Sequence, residues 1–319
     1  MVTLSEIWNW IISFPSGNTS TSSFALASDL QEIFDYLRGS RQIELAEFRA
    51  AGQYFRFDQK SLGYLRECKD RVLRIPREKE WRERNNFLVW SPPGAGKTSF
   101  VSEIAREGEQ QFNLLHIPID LKDVRKRADL ETQIDECRKS LDNRKSVLVT
   151  VDEWDRQVEG QQVFEMFHGP LEWNESQGKE VIWIFIASGK TKEDLVQLIN
   201  NSPKGTDVYR RLGNEKEYQL IIPALTAGDK VIIGAAKALD FKFVRAEATA
   251  LMTIALDPSL DSCGAIEKRI RDIHRSNSGT KLLLKDHFLE VSELTQFYKR
   301  YEQIFTQLDK VIDIMVRLA

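Results

Sequence analysis

Two Gly-Lys-Thr triplets, at 96–98 and 189–191, are the residues of this sequence best suited to holding a phosphate group. A phosphate-binding loop needs glycines and several loop residues between a strand and a helix, because successive backbone N–H groups must curl around the anion. The first triplet meets this need, since it ends the segment SPPGAGKTS after the apolar run 87–90. A helical pattern follows it, with one apolar face formed by Phe100, Val101, Ile104 and Ala105.

The chemistry expected at the first triplet is the binding of ATP with magnesium. Lys97 would contact the β- and γ-phosphates, and the Thr98 hydroxyl would ligate Mg²⁺. Ser91 stands where such loops usually begin with glycine. The residues predicted to bind nucleotide in this segment are Pro93, Gly94, Ala95, Gly96, Lys97, Thr98 and Ser99.

The second triplet lacks the loop that phosphate binding requires. It contains one glycine, and it follows the apolar run 181–187 almost directly. The pattern therefore predicts that 189–191 does not form a second phosphate site.

An acidic pair, Asp152 and Glu153, follows the apolar run 147–151. The carboxyl end of a buried parallel strand is where such sheets bind their ligands. Asp152 is therefore predicted to hold Mg²⁺ through water, and Glu153 to polarise the water that attacks the γ-phosphate. In the alternative interpretation, the two carboxylates only solvate a strand end. With the phosphate loop the pair favours an ATPase, and the lack of an N-K-x-D guanine-reading motif disfavours GTP.

Five short apolar runs separated by helical patterns are typical of strands buried on both faces of a parallel sheet. Beyond Pro223 the patterns are helical to the end of the chain. The predicted fold class is α/β, a P-loop NTPase with a five-stranded parallel sheet, followed by an all-α domain and preceded by a helical extension. The five runs are 87–90, 112–119, 147–151, 181–187 and 218–222.

The same patterns predict five regions along the chain. They are an N-terminal helix with a Ser-rich linker at 1–24, a helical extension at 25–84, an α/β nucleotide-binding domain at 85–222, a helical domain at 223–290 and a long C-terminal helix at 291–319. The C-terminal helix carries a wide apolar seam that would pack on the protein itself, on a neighbouring subunit or on a separate effector. The helix predicted in the first dozen residues would likewise pack on the protein itself, on a neighbouring subunit or on a separate effector.

The segments SPPGAGKTS and VLVTVDEWD, then a strand ending in a small polar residue, an arginine and a helical tail, resemble the AAA+ ATPase family over roughly 85–273. The resemblance implies a sheet of AAA+ type, a lid formed by the helical tail, and a homo-oligomer with ATP sites at subunit interfaces. It implies that Ser188 is the sensor residue near the γ-phosphate. It also implies that Arg211, with Arg210 as the alternative, is an arginine finger for the neighbouring subunit's site.

The helical tail departs from the family pattern at one position. Family members carry a sensor 2 arginine in the third lid helix, whereas this sequence has Cys263 and Gly264 there. Lys268, Arg269 or Arg271 would have to substitute from a nearby turn. The coupling of nucleotide to the lid is therefore left open.

The sequence indicates which nucleotide is bound more clearly than it indicates which partner the ATPase acts on. The stretch IDLKDVRKRADLETQIDE has no aromatic-hydrophobic-glycine triplet of the kind that protein-threading relatives carry. It has a basic cluster that could contact a nucleic-acid backbone, although such a run is more often a solvated helix face. The cluster is Lys122, Arg125, Lys126 and Arg127.

Composition places the chain among ordinary globular proteins. Its 319 residues are 42% hydrophobic and 29% charged, and a net charge of -3 gives no overall bias toward nucleic acid. Three distant cysteines form neither a disulfide framework nor a metal cluster. The N-terminus has no basic n-region and carries Glu6 within its apolar part. These features predict a cytoplasmic protein that makes no contact with membranes.

The function expected from these patterns is that of an oligomeric ATPase that remodels or switches a protein partner. One alternative is a nucleotide-gated scaffold with little turnover. Another is an ATPase associated with DNA loading, transposition or defence. A helicase fits the D-E-x-D pattern of 152–155, but a second RecA-like domain is missing from the sequence.

Overall fold

The structure is a computed structural model that describes residues 32–40, 42–81, 85–122, 124–143, 146–189, 192–212, 218–289 and 315–319. The chain divides into two compact units. Unit 1 comprises Met1–Arg49, Phe55–Leu62 and Leu225–Ala319, and unit 2 comprises Ala50–Tyr54 and Gly63–Ala224. The helix predicted at 1–24 and most of the one predicted at 291–319 lie outside the described residues. Within the described part, no helix has the length and apolar character that crossing a bilayer requires.

Unit 2 is built on a five-stranded parallel sheet, as the five apolar runs predicted. Its strand order is β10-β4-β9-β6-β5, and every neighbouring pair is parallel. The strands are β4 (Asn86–Ser91), β5 (Leu115–Asp120), β6 (Ser146–Asp152), β9 (Glu180–Ser188) and β10 (Gln219–Ile221). Because all five run in one direction, their carboxyl ends meet at a single edge of the sheet.

Helices and short elements complete unit 2. The helices are α2 (Gln59–Glu78, whose first turn belongs to unit 1), α3 (Lys97–Phe112), α4 (Arg127–Asn143), α5 (Trp173–Gln177), α6 (Lys192–Asn200) and α7 (Gly205–Arg211). A hairpin of β2 (Arg49–Ala51) and β3 (Tyr54–Phe55), of which Ala50–Tyr54 belongs to unit 2, precedes α2, and a second of β7 (Gln157–Val158) and β8 (Gln161–Gln162) follows β6. Two 3₁₀ turns, Val163–Phe167 and Pro170–Glu172, lead into α5.

The two central strands β6 and β9 are buried on both faces, which explains their continuous apolar sequences. Alternate residues such as Trp183 and Phe185 join one cluster with the 3₁₀ turns and α7, while their neighbours face the opposite side. The predicted run 112–119 is only partly a strand. Helix α3 continues to Phe112, and Asn113 ends it in the left-handed conformation before β5 begins.

Unit 1 is mainly helical, and it also contains a small sheet that the sequence patterns did not predict. Its helices are α1 (32–39), α8 (Ala227–Asp240), α9 (Ala248–Leu256), α10 (Cys263–Ser276) and α11 (Asp286–Leu289). A four-stranded sheet of order β1-β13-β11-β12 joins β1 (Gln42–Ile43), β11 (Arg245–Glu247), β12 (Leu282–Leu283) and β13 (Met315–Leu318). The prediction of helix to the end of the chain is therefore wrong for β11, β12 and β13. The extension at 25–84 likewise contains short strands between helices.

A buried ion pair anchors the start of α8 in unit 1. Arg56 Nη1 lies 2.8 Å from Asp229 Oδ2, and both side chains are fully buried. The other Asp229 oxygen accepts the Phe57 amide at 2.7 Å, and the residue also completes a capping box with Thr226. These bonds satisfy the carboxylate, as a buried charge requires.

Candidate functional site

The loop between β4 and α3 has the backbone geometry of an anion cradle. Gly94 and Gly96 have φ angles of 84° and 78°, in the left-handed region that glycine adopts without strain. Gly96 is the residue that caps the N-terminus of α3, and no side chain caps the helix there. The first N–H groups of α3 are therefore oriented toward this loop, where an anion is favoured.

Thr98 of the predicted phosphate loop and Asp152 of the predicted acidic pair lie in contact. Thr98 Oγ1 donates a hydrogen bond of 2.7 Å to Asp152 Oδ2. The second carboxylate oxygen, Oδ1, accepts the Glu153 amide at 2.9 Å. Asp152 is only 9% exposed and is the last residue of β6. The hydroxyl and the carboxylate thus lie at the carboxyl edge of the sheet, beside the loop.

Glu153 is held in an unusual backbone conformation that directs it away from the core. Its φ angle is 59°, which is uncommon for a residue other than glycine and is found at functional sites. The next residue, Trp154, is fully buried, and its amide donates to the Ile186 carbonyl at 3.2 Å. Glu153 itself is exposed, with Lys122 Nζ 3.8 Å from its carboxylate. The buried tryptophan thereby fixes the turn that presents the glutamate to solvent.

Ser188 lies at the same edge of the sheet. It is the last residue of β9, it is exposed, and it pairs in register with Ser91 at the end of β4. The structure therefore brings Ser188 next to the strand that leads into the phosphate loop.

Asp155 is a site residue that the sequence patterns did not single out. Burial raises the pKa of its carboxyl, and Glu153 adds to this rise. Hydrogen bonds from its own backbone amide and from that of Ser188, together with the charge of Lys97, oppose the rise. The carboxyl of Asp155 thus links the turn after β6 to the end of β9. The last acidic position of the D-E-x-D pattern was the available signal.

Tyr54 is a second residue that the sequence analysis missed. Its hydroxyl donates a 2.8 Å hydrogen bond to the carbonyl of Ala95, inside the phosphate loop. No sequence signal joins these two residues, because they are 41 positions apart and the tyrosine lies in a short hairpin.

Comparison with known proteins agrees with this geometry. Residues 87–200 match the model of the family described as ATPase family associated with various cellular activities (AAA). The segment 87–200 therefore resembles AAA ATPase domains. The matched segment begins in β4 and ends with α6, so it includes the phosphate loop, Asp152 and Ser188.

Two relatives of this chain are replication factor C large subunits. The one from Ignicoccus hospitalis is 40% identical over 62 residues, which are 18% of this chain and 12% of that protein. The one from Aeropyrum pernix is 36% identical over 87 residues, or 25% of this chain and 17% of that protein. The matched segments thus span less than a fifth of either relative. Among solved structures, a point mutant of Thermotoga maritima RuvB has a TM-score of 0.49 and 16% identity, covering 82% of this chain and 73% of that one.

The two arginines at the end of α7 have different surroundings. Arg211 has a side chain only 9% exposed, and it lies 3.1 Å from Glu172 and 3.2 Å from Asp207. Its Nη1 also donates to the His168 carbonyl at 2.6 Å. Arg210 is 68% exposed and pairs only with Asp207, at 2.7 Å, among the residues described. Arg210 therefore presents its guanidinium at the surface, whereas Arg211 is bonded to groups of its own chain.

The basic cluster lies between the end of β5 and the first residue of α4, Arg127, and all four side chains are exposed. Two of them contact acidic or amide groups. Arg127 bonds to Glu131 at 3.0 Å and to Gln161 at 3.1 Å, and Lys122 lies near Glu153. Arg125 and Lys126 thus offer the less engaged positive charges of the cluster.

The basic residues proposed to replace a sensor 2 arginine lie on α10 in unit 1. Arg271 pairs with Glu267, and its guanidinium lies 5.9 Å from the Phe241 ring centre. Arg269 donates to the His287 carbonyl at 3.1 Å. Lys268 is exposed. The role of each of the three as a substitute for the sensor 2 arginine stays a prediction.

Proposed function

We propose that this protein is an AAA+ ATPase that binds ATP with magnesium in the loop 92–98 and hydrolyses it. The observation that carries the proposal is the 2.7 Å hydrogen bond between Thr98 and Asp152. It places a hydroxyl and a carboxylate together beside a glycine loop with left-handed backbone. Oxygen donors of this kind are the ligands that Mg²⁺ takes in nucleotide sites, so the residues fit the ion.

The roles of the side chains follow from their positions. Lys97 opens α3 beside the loop and would neutralise the β- and γ-phosphates, and Thr98 and Asp152 would hold the metal. A bound magnesium ion would supply positive charge to the phosphate oxygens. Glu153, exposed on its turn, would orient and polarise the attacking water. Ser188, at the end of β9, would contact the γ-phosphate.

The proposal includes an oligomer in which one subunit supplies an arginine to the next. Arg211 was the position expected for this arginine, and its role stays a prediction. It would have to leave Glu172, Asp207 and the His168 carbonyl to reach a partner. Arg210 would have to leave only Asp207 among the described groups. The geometry therefore supports Arg210, the alternative of the pair, as the better placed finger.

The work done with ATP is proposed to be the remodelling or switching of a separate protein. The α/β domain and a mainly helical second unit support this division between a nucleotide-binding part and a part that responds to it. Three buried or half-buried cysteines without disulfides support a reducing, cytoplasmic setting. The proposed domain limits remain 85–222 for the nucleotide-binding domain and 223–290 for the lid.

The decisive measurement is the ATP hydrolysis rate per subunit as a function of protein concentration. Lys97→Ala should abolish hydrolysis, whereas Lys190→Ala, in the second Gly-Lys-Thr triplet, is the matched control and should leave it unchanged. Lys97→Ala is then mixed with Arg210→Ala and, separately, with Arg211→Ala. Hydrolysis should return in the mixture whose arginine variant lacks the residue that acts on the neighbouring subunit. Hydrolysis that persists in Lys97→Ala would contradict the assignment of the first triplet, and loss of hydrolysis in Lys190→Ala would contradict the prediction that the second triplet is not a phosphate site.

The same assay separates the remaining alternatives. A low, concentration-independent rate with tight ATP binding would favour the nucleotide-gated scaffold. A DNA-associated ATPase is the second candidate, favoured by two observations: the similarity to replication factor C large subunits and the exposed basic cluster. In that case added DNA should stimulate hydrolysis, and replacement of Arg125 and Lys126 by alanine should remove the stimulation without changing the basal rate.

A further inference from the structure

Tyr54 connects the hairpin of β2 and β3 to the phosphate loop within unit 2. The residue is only 3% exposed, and its hydroxyl donates to the Ala95 carbonyl at 2.8 Å. Its ring packs on Phe100 of α3, with 5.1 Å between ring centres. Packing therefore fixes the position of the ring, so that the hydroxyl is directed at the loop by the core of the unit.

The hairpin turn is held on α3 at a second point. The Gly52 amide donates to Glu107 Oε1 at 2.8 Å, and the other Glu107 oxygen lies 3.1 Å from Lys69 Nζ. Gly52 has a φ angle of 42°, and a Cβ atom there would lie 1.9 Å from a Glu103 oxygen. Only glycine fits this approach without a shift of Glu103. The hairpin is thus attached to the helix at its turn and to the loop through Tyr54.

The bond to Ala95 has a consequence for the neighbouring amide. The chain has no cis peptide bond among the residues described, so the Ala95 carbonyl and the Gly96 N–H point in opposite directions within their shared peptide plane. A carbonyl that accepts from Tyr54 therefore turns the Gly96 N–H away from Tyr54. Glycine at 96 lets this peptide rotate more freely than another residue would, since glycine populates both signs of φ readily. The hydroxyl of Tyr54 restricts that rotation.

We propose that Tyr54 is a positioning residue that sets the Ala95–Gly96 peptide in the orientation that receives the nucleotide phosphates. The proposal rests on the proposed function, because it assumes that the loop binds a nucleotide. Tyr54 acts through the loop backbone and does not touch the nucleotide. A loop that is already ordered loses less conformational freedom when it binds, so the bond strengthens binding without entering the chemical step.

Tyr54→Phe tests this proposal, because it removes the hydroxyl and keeps the ring on Phe100. Tyr64→Phe is the matched control: it removes a hydroxyl that accepts the Ile221 amide at 2.9 Å, in the same unit but outside the loop. Titration calorimetry with ADP and with ATP plus magnesium gives Kd and stoichiometry separately. A partly unfolded variant lowers the stoichiometry and leaves Kd unchanged, so folding and binding are distinguished. Hydrolysis assays then give KM and kcat.

The expected result is a Kd for both nucleotides about five- to tenfold weaker in Tyr54→Phe, the size of one hydrogen bond. KM should rise by the same factor and kcat at saturating ATP should stay within about twofold, as for a loss of uniform binding. Tyr64→Phe should bind as the unaltered protein does. A Tyr54→Phe Kd within twofold of the unaltered protein would overturn the inference and leave the proposed function standing. Failure of the unaltered protein to bind either nucleotide would overturn both.

Discussion

Arg210 and Arg211 are adjacent in sequence, yet their stability contributions should differ. Arg211 is nearly buried between Glu172 and Asp207 and bonds a carbonyl, so Arg211→Ala should lower the free energy of unfolding by about 1–3 kcal/mol. The two acidic partners keep about a third of their surface exposed, which keeps the loss below that of a fully buried pair. Arg210→Ala should change stability by less than about 0.5 kcal/mol. Urea unfolding of both variants measures the difference.

The hydrolysis assay on the same two variants assigns their roles. If an arginine acts in trans, the variant that lacks it should lose ATP hydrolysis while its free energy of unfolding is unchanged. Hydrolysis should return when that variant is mixed with Lys97→Ala. Arg210 is expected to behave in this way. Equal stability of both variants, with rescue only for Arg211→Ala, would show that the buried network opens in the oligomer and would restore the expectation for Arg211.

At the scale of elements, β13 is the part of the described chain that departs most from the sequence pattern. It lies between β1 and β11, and Val316 and Leu318 are buried while Arg317 is exposed. Leu318→Ala should therefore lower the unfolding free energy by about 2 kcal/mol or more, from lost apolar burial and the space left behind. Arg317→Ala, one residue away on the opposite face, is the matched control and should stay within about 0.5 kcal/mol. Chemical denaturation followed by circular dichroism gives both values.

A result in which Leu318→Ala is neutral would remove β13 from the core of unit 1. It would then favour the prediction, made from the apolar spacing before residue 315, that the C-terminal helix continues to the end of the chain. The strand exists because Met315–Leu318 pairs with two strands that are distant in sequence. Such pairing overrides the local period, and four residues are too few for the alternation of buried and exposed positions to be recognised in advance.

The five-stranded sheet and the meeting of several candidate residues at its carboxyl edge were predictable for a physical reason. Strands buried on both faces must be apolar throughout, so β6 and β9 were visible as continuous runs, and the residues after them had to share one edge. The phosphate loop was visible because glycine and lysine spacing reflects backbone geometry. Tyr54 was not visible, because its contact with Ala95 joins segments far apart in sequence. Asp155 was marked only as the last acidic position of the D-E-x-D pattern, and sequence spacing carries no record of the burial that raises the pKa of its carboxyl.

At the scale of the whole molecule, the reactivity of the three cysteine thiols measures the opening of each unit separately. Cys68 and Cys137 lie in unit 2 and Cys263 in unit 1. Burial raises the pKa of all three thiols, and that of Cys137 to about 12. At pH 8 such a thiol is ionised in only about one molecule in ten thousand. Since the thiolate is the reactive form, labelling of Cys137 should require that unit 2 opens first.

Nucleotide should therefore slow labelling in one unit more than in the other. ATP with magnesium at about 100 times Kd stabilises the unit that binds it by about 2.7 kcal/mol, which corresponds to roughly 100-fold slower labelling from the opened state. Cys68 and Cys137 should show this protection in moderate urea, and Cys263 should show much less. Alkylation in timed pulses, read cysteine by cysteine by mass spectrometry, measures each rate, with Lys97→Ala as the control that should show no protection. Equal protection of all three thiols would mean that the units unfold together, and unchanged rates at Cys137 would contradict nucleotide binding in unit 2.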